Sequence, residues 1–141
     1  ALARGHSQRF RGMRLLLDTH CWLWLESAPE RLSERVRRQL ADPETELLLS
    51  VVSVWELAIK TALGKLELPE ALATYVPSRL RRSSVGTLPV RLEHALEVAQ
   101  LPPHHADPFD RMLIAQARAE RLPILTADTA FAAYDVELLA P

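Results

Sequence analysis

His105-Ala-Asp-Pro-Phe-Asp-Arg-Met-Leu-Ile-Ala-Gln-Ala117 reads as the opening of a buried helix. Pro108 suits the first helical position, where its missing N–H costs nothing, and Asp107 before it can accept from the freed N–H groups of the first turn. Met112, Leu113, Ile114, Ala115 and Ala117 then supply an almost continuous apolar run, which predicts a helix covered on most sides. Asp107 and Asp110, three residues apart, project from one face of its first turn. Two carboxylates there can cap the helix, bind a cation, or do both.

On the C-terminal side, Leu122–Thr126 is a strong strand pattern, Asp128–Tyr134 a short helix and Val136–Leu139 a final strand candidate. On the N-terminal side, Pro102-Pro103-His104-His105 is an extended approach, preceded by an amphipathic helix over Leu92–Leu101 and a short strand over Val85–Leu88. Arg79–Ser84 reads as a basic loop or helix end, and Leu66–Leu80 as one or two short helices broken by Pro69 and Pro77. Ser53-Val-Trp-Glu56 is a capping-box pattern opening a helix that ends near Gly64. Leu47–Val52 is a buried strand. Ser33 caps a helix to Ala41, stopped by Asp42-Pro43; Cys21–Leu25 continues apolar and helical after a first strand, Arg14–Leu17. Strands alternate with helices, and each strand lacks a polar face. That pattern predicts an α/β fold whose mostly parallel sheet is covered on both sides.

The chain has 141 residues, 48% hydrophobic and 25% charged, as expected of one globular domain. Its net charge of −1 gives no global basicity, so any polyanion site must be a local patch. A single cysteine, Cys21, excludes an internal disulfide framework and a multi-cysteine zinc site, and a reducing cytoplasm is the simplest compartment. No apolar run approaches the ~18 residues of a membrane helix. Residues 1–12 are polar and Arg-rich and precede Met13; they are read as an expression remnant or a disordered extension outside the fold.

Ligands of open α/β sheets bind beyond the carboxyl ends of the strands. Asp18 ends the first strand, Glu56 lies in the first turn after the second, Asp128 follows Ile124–Thr126, and Asp107 and Asp110 begin the central helix. Each has a structural reading as well: Asp18, Asp107 and Asp128 as caps, Glu56 as a capping-box member or a partner of Lys60. Together they fall at one edge of the sheet. Two unit charges ~4 Å apart repel by about 4 kcal/mol at an effective dielectric near 20, so a cluster of acids needs raised pKa values or a cation. Oxygen donors suit Mg²⁺ or Mn²⁺, and such an ion with acids around it points to phosphodiester hydrolysis. The four glycines, at 5, 12, 64 and 86, allow neither a P-loop nor a dinucleotide fingerprint, and there is no nucleophile elbow. His104 and His105 are adjacent and should not converge on one ion; a positioning or solvent-facing role fits them better. His20 may be packed, capping or near the site, Cys21 reads as core, and the three Trp residues read as core or dimer anchors.

At these residues the sequence resembles the PIN-domain ribonucleases, specifically their VapC toxin branch. The matching segments are Leu15-Leu-Leu-Asp-Thr-His20, Ser50-Val-Val-Ser-Val-Trp-Glu56, the His105–Ala117 run and Ile124-Leu-Thr-Ala-Asp-Thr-Ala-Phe131, in the family's order. The resemblance implies a PIN-like three-layer α/β/α sandwich, with residues 13–141 as a single PIN domain. It implies an endoribonuclease whose acidic quartet, here Asp18, Glu56, Asp110 and Asp128, binds Mg²⁺ or Mn²⁺. Asp107 is an extra acid with three roles open to it: binding metal, capping the helix, or both. Thr126 matches a hydroxyl position near the metal, and Ser50 is a weaker candidate for polar support. The resemblance further implies a homodimer and inhibition by a cognate VapB-like antitoxin, with Trp22–Arg38 and the helix after Glu56 as the region to examine for that contact. Arg79, Arg81 and Arg82 could contact RNA phosphates or simply form a solvated loop.

Three other readings compete. A phosphoacceptor receiver module also sets acids at strand ends but needs a correctly placed Lys, and only Lys60 and Lys65 exist. A dehalogenase-like phosphatase wants D-x-D after the first strand, where His20 stands instead. A non-catalytic interaction domain would keep the acids for stability alone and predicts no ion-linked stabilisation.

Overall fold

The computed structural model describes residues 13–141; the reading of residues 1–12 lies outside them. Five strands form one sheet: β1 (Arg14–Leu17), β2 (Glu46–Ser50), β3 (Val85–Leu88), β4 (Ile124–Leu125) and β5 (Leu138–Leu139). Their order is β3-β2-β1-β4-β5 and every pairing is parallel. Six helices connect them: α1 (Thr19–Ser27), α2 (Glu34–Ala41), α3 (Val51–Ala62), α4 (Leu72–Arg82), α5 (Leu92–Val98) and α6 (Pro108–Glu120). Short 3-10 turns occupy Pro29–Arg31 and Thr129–Ala133.

The strands are apolar throughout because both faces are covered. Leu15, Leu17, Leu47, Leu49 and Leu125 point into one core with Trp22, Val36, Leu57 and Tyr75, carried by α1 to α4. Leu16, Leu48 and Ile124 point into the other with Leu113, Ile114 and Phe131, built chiefly on α6. Helix α3 stands at the seam, giving Leu57 to the first core and Val52 to the second. The result is the expected α/β/α sandwich.

Several boundaries differ from the sequence reading. Ser50, not Ser53, caps α3: its hydroxyl accepts from Val52 N at 3.0 Å, so the strand ends two residues earlier than expected. Ser53 is drawn inside the helix, where it meets Thr19 of α1 at 2.8 Å. Pro77 lies within α4 instead of breaking it; burial of Tyr75 and Val76 beside it offsets the missing N–H. The expected Leu122–Thr126 strand contracts to Ile124–Leu125, the two residues that register with Leu16 and Leu17. Helix α5 stops at Val98, and α1 begins earlier than Cys21, immediately after Asp18.

Helix α6 is as predicted at its start and is firmly held. Asp107 Oδ1 accepts from Phe109 N at 2.8 Å and Asp110 N at 3.2 Å, with Pro108 at the first position. At the other end Arg121 takes the left-handed conformation (φ 57°), and Leu122 N donates to Ala117 O at 2.9 Å. Within the core, Ser50 donates to Gln116 Oε1 at 2.6 Å while Gln116 Nε2 donates to Pro89 O at 3.2 Å. Fully buried His94 of α5 reaches Glu120 at 3.2 Å. These bonds fix the rotation of α6, and so where Asp110 points. Among the described residues no helix is long and apolar enough to cross a membrane.

Candidate active site

Reversal of strand order on either side of β1 opens a crevice at the carboxyl edge between β1 and β4. Asp18 enters it from the end of β1. Its N–H donates to Leu125 O at 3.0 Å, and its Oδ1 caps α1 by accepting from Cys21 N at 2.7 Å. Asp128 arrives from the end of β4, its N–H donating to Thr126 Oγ1 at 3.0 Å and its Oδ1 capping the following 3-10 turn through Ala130 N at 2.9 Å. Asp110 comes from the first turn of α6 and Glu56 from the second turn of α3. With Asp107, Thr19, His20, Lys60 and Phe131, these four acids line one pocket of about 110 Å³. A cleft of about 380 Å³ opens elsewhere, along Glu97, Arg118 and Asp135, but Arg118 is already paired there with Glu97 at 2.8 Å. Convergence of acids, not size, singles out the smaller pocket.

The acids are held differently. Buried Glu56 has both oxygens engaged: Thr19 Oγ1 lies 2.8 Å from Oε1 and Lys60 Nζ 2.7 Å from Oε2. Thr19 has one proton, which goes to the carboxylate, while its oxygen accepts from Ser53. Asp110 is the perturbed member. Burial first, then the charge of Asp107, pushes its carboxyl up to about 7; His105 opposes the rise, and Glu56 and Asp128 add to it. This is the response expected of carboxylates crowded away from water without a cation. Cys21 behaves as core, its thiol pushed upward by burial and then by Asp18.

All four expected acids therefore meet, and Asp107 lines the same pocket while capping α6. Thr126 is buried and acts on Asp128 through its backbone. Ser50 is buried against Gln116 and does not line the pocket. The arginines are elsewhere. Arg79 pairs with Glu70 at 3.0 Å and covers the Tyr75 ring, and Arg82 donates to Glu26 O at 3.2 Å. Their helix end leads into the start of β3, the opposite edge of the sheet from the acids. Of the tryptophans, Trp22 is fully buried and so is core within the region marked for a partner, whereas Trp55 is 59% exposed. Two pocket residues carry more weight than the sequence gave them. Lys60 was considered only as a pair for Glu56 or a receiver lysine, yet it lines the site from α3. His105, for which the sequence leaves a positioning or a solvent-facing role open, turns inward: its Nε2 lies 3.0 Å from Asp110 and 3.3 Å from Asp128. The available signal was its place two residues before the helix cap, from which its ring can turn back on the Asp107 N–H at 3.3 Å.

The donor set fits a hard divalent cation: carboxylates from two strand ends and two helices, crowded enough to raise one pKa. Asp110, Asp128 and His105 each offer an atom within 4.8 Å of the others.

Known proteins resemble this chain in sequence and in fold. The chain is 48% identical over 59 residues to Ribonuclease VapC16 of Mycobacterium tuberculosis, a match covering 42% of this chain and 40% of that protein. It thus spans well under half the length of this curated relative. VapBC2 from Rickettsia felis, solved bound to a DNA fragment from their promoter, superposes with a TM-score of 0.70 at 15% identity, covering 91% of this chain and 98% of that one. DNA-bound VapBC from Salmonella typhimurium gives 0.66 at 18% identity over 90% and 97%. FitAcB from Neisseria gonorrhoeae gives 0.56 at 26% identity over 89% and 96%. The PIN-domain profile matches residues 15–137, nearly the whole of the described fold with every acid of the pocket, so the chain belongs to the PIN-domain family.

Proposed function

We propose that this protein is a divalent-metal-dependent endoribonuclease of the VapC type. The observation that carries the reading is the convergence of Asp18, Glu56, Asp110 and Asp128 on one pocket at the carboxyl edge of the sheet. Names and folds of its relatives support it. Asp18, Asp110 and Asp128, with Glu56, would hold Mg²⁺ or Mn²⁺, and Asp107 remains chiefly the helix cap. A bound ion of this kind makes an attacking water more acidic and neutralises charge on a phosphoryl oxygen. The protein's own part is positioning. Thr19 and Lys60 fix Glu56, the α1 cap fixes Asp18, and Thr126 fixes the turn that presents Asp128. Lys60 comes from the last turn of α3 and is bound to Glu56, which gives a phosphoacceptor reading no support.

The same reading includes a cognate antitoxin, a cytoplasmic location and a homodimer. Val51, Trp55, Ile59 and Leu63 form an exposed apolar stripe along α3, at the spacing of one helix face. That stripe is the surface assigned to self-association. The decisive experiment incubates the purified protein with cellular RNA in EDTA, Mg²⁺ or Mn²⁺ and sequences the new ends. Ion-dependent cuts at defined positions, abolished by Asp110→Asn, are expected. Equal cleavage by the variant, or by the parent in EDTA, rules the site out.

A further inference from the structure

His105 Nε2 sits between two carboxylates from separate elements: it is hydrogen-bonded to Asp128 after β4 at 3.3 Å and lies 3.0 Å from Asp110 Oδ2 on the first turn of α6. Its other ring nitrogen, Nδ1, accepts the Asp107 N–H at 3.3 Å. A neutral imidazole has one donor and one acceptor nitrogen, so that backbone bond leaves the proton on Nε2. The ring is braced edge-on by Phe131, with centroids 6.1 Å apart.

A divalent ion shared by Asp110 and Asp128 needs the same place. A hard cation held by these carboxylates would compete with Nε2 for the same oxygens. Because Nε2 carries the proton, it has no lone pair to offer such an ion. We propose that His105 is a positioning residue that stands in for the ion: it bridges Asp110 and Asp128 in the ion-free protein, keeps α6 and β4 in register there, and is displaced when a divalent cation enters. This rests on the metal reading of the pocket. It also sets His105 against the ion. A ligand's removal weakens binding, whereas a stand-in's removal strengthens it.

The test is a Mn²⁺ titration of the ion-free protein, with free ion counted by its electron paramagnetic resonance signal. His105→Phe keeps a ring against Phe131 and deletes both nitrogens; His105→Gln restores an N–H donor. Expected is a Kd about tenfold tighter in His105→Phe, the equivalent of about 1.4 kcal/mol, and a return toward the parent value in His105→Gln. Without ion, His105→Phe should melt below the parent, and saturating Mn²⁺ should close that gap. Should His105→Phe fail to fold, His105→Ala takes its place with the same expectation. Weaker Mn²⁺ binding by His105→Phe would make His105 a ligand and overturn the proposal, as would affinities within twofold of each other. A parent protein that binds no Mn²⁺ overturns the metal reading as well, an outcome distinct from either.

Discussion

Asp110→Asn should stabilise the ion-free protein while removing its proposed activity. Burial and then Asp107 raise the Asp110 carboxyl from 3.8 to about 7. The folded state thus prefers this group protonated. Its contribution to stability is fully present below the unfolded value and is lost as pH rises through about 7. A shift of about three units corresponds to ~4 kcal/mol at 1.36 kcal/mol per unit. The side chain is 23% exposed; water and salt reduce that figure, and about 2 kcal/mol at pH 8 is a reasonable expectation. Asparagine has no charge to desolvate. The variant's advantage should therefore be absent near pH 4, grow up to about pH 7 and then level off. Two kcal/mol moves the melting temperature by about 4–8 °C in a domain of this size. Thermal and urea melts in EDTA at several pH values measure it. Equal or lower stability of Asp110→Asn at pH 8, or a difference independent of pH, would refute the electrostatic account of the pocket. Adding Mn²⁺ at pH 8 should raise the parent's melting temperature more than the variant's.

Thr19→Val keeps the shape but leaves Glu56 Oε1 without its hydroxyl donor; urea melts should show a loss of about 1–3 kcal/mol, and the RNA cleavage rate should fall as Glu56 loses its fixed pose. Ser50→Ala leaves Gln116 Oε1 buried without that partner and should cost about 1–3 kcal/mol in the same melts, with no change in Mn²⁺ affinity beyond what the looser α6 brings. Leu63→Glu, at the C-cap of α3 and 63% exposed, should leave the fold's stability within about 0.5 kcal/mol and shift the sedimenting species from dimer to monomer; a parent that sediments as a monomer removes the stripe from self-association.

The sheet was legible because its strands are buried on both faces, which forces apolar runs such as Leu15–Leu17 and Leu47–Leu49. Their ends were less so, because strand limits are set by pairing: β4 is two residues long, registering with only Leu16 and Leu17 of the four-residue β1. The choice between Ser50 and Ser53 as a cap turned on a tertiary contact, since Thr19 of α1 engages Ser53. The acids could be named from their positions at element ends, where chain topology brings distant residues together. His105 could not be paired with them from spacing alone. Adjacent histidines do diverge as expected, His104 packing edge-on to Tyr134 at 5.4 Å, but which of the two turns inward depends on the backbone bond to Asp107.

The hydrogen bond from Asp18 N–H to Leu125 O has a consequence in time as well as in space. Asp18 is among the first described residues to be synthesised, and the strand that seats it beside Asp128 is among the last. At ~5–20 residues per second, on the order of ten seconds separates their emergence. During that interval the growing chain carries its first acid with no pocket around it. For the ribonuclease proposed above, the pocket is therefore complete only once the closing strand is in place, after most of the described residues have been synthesised.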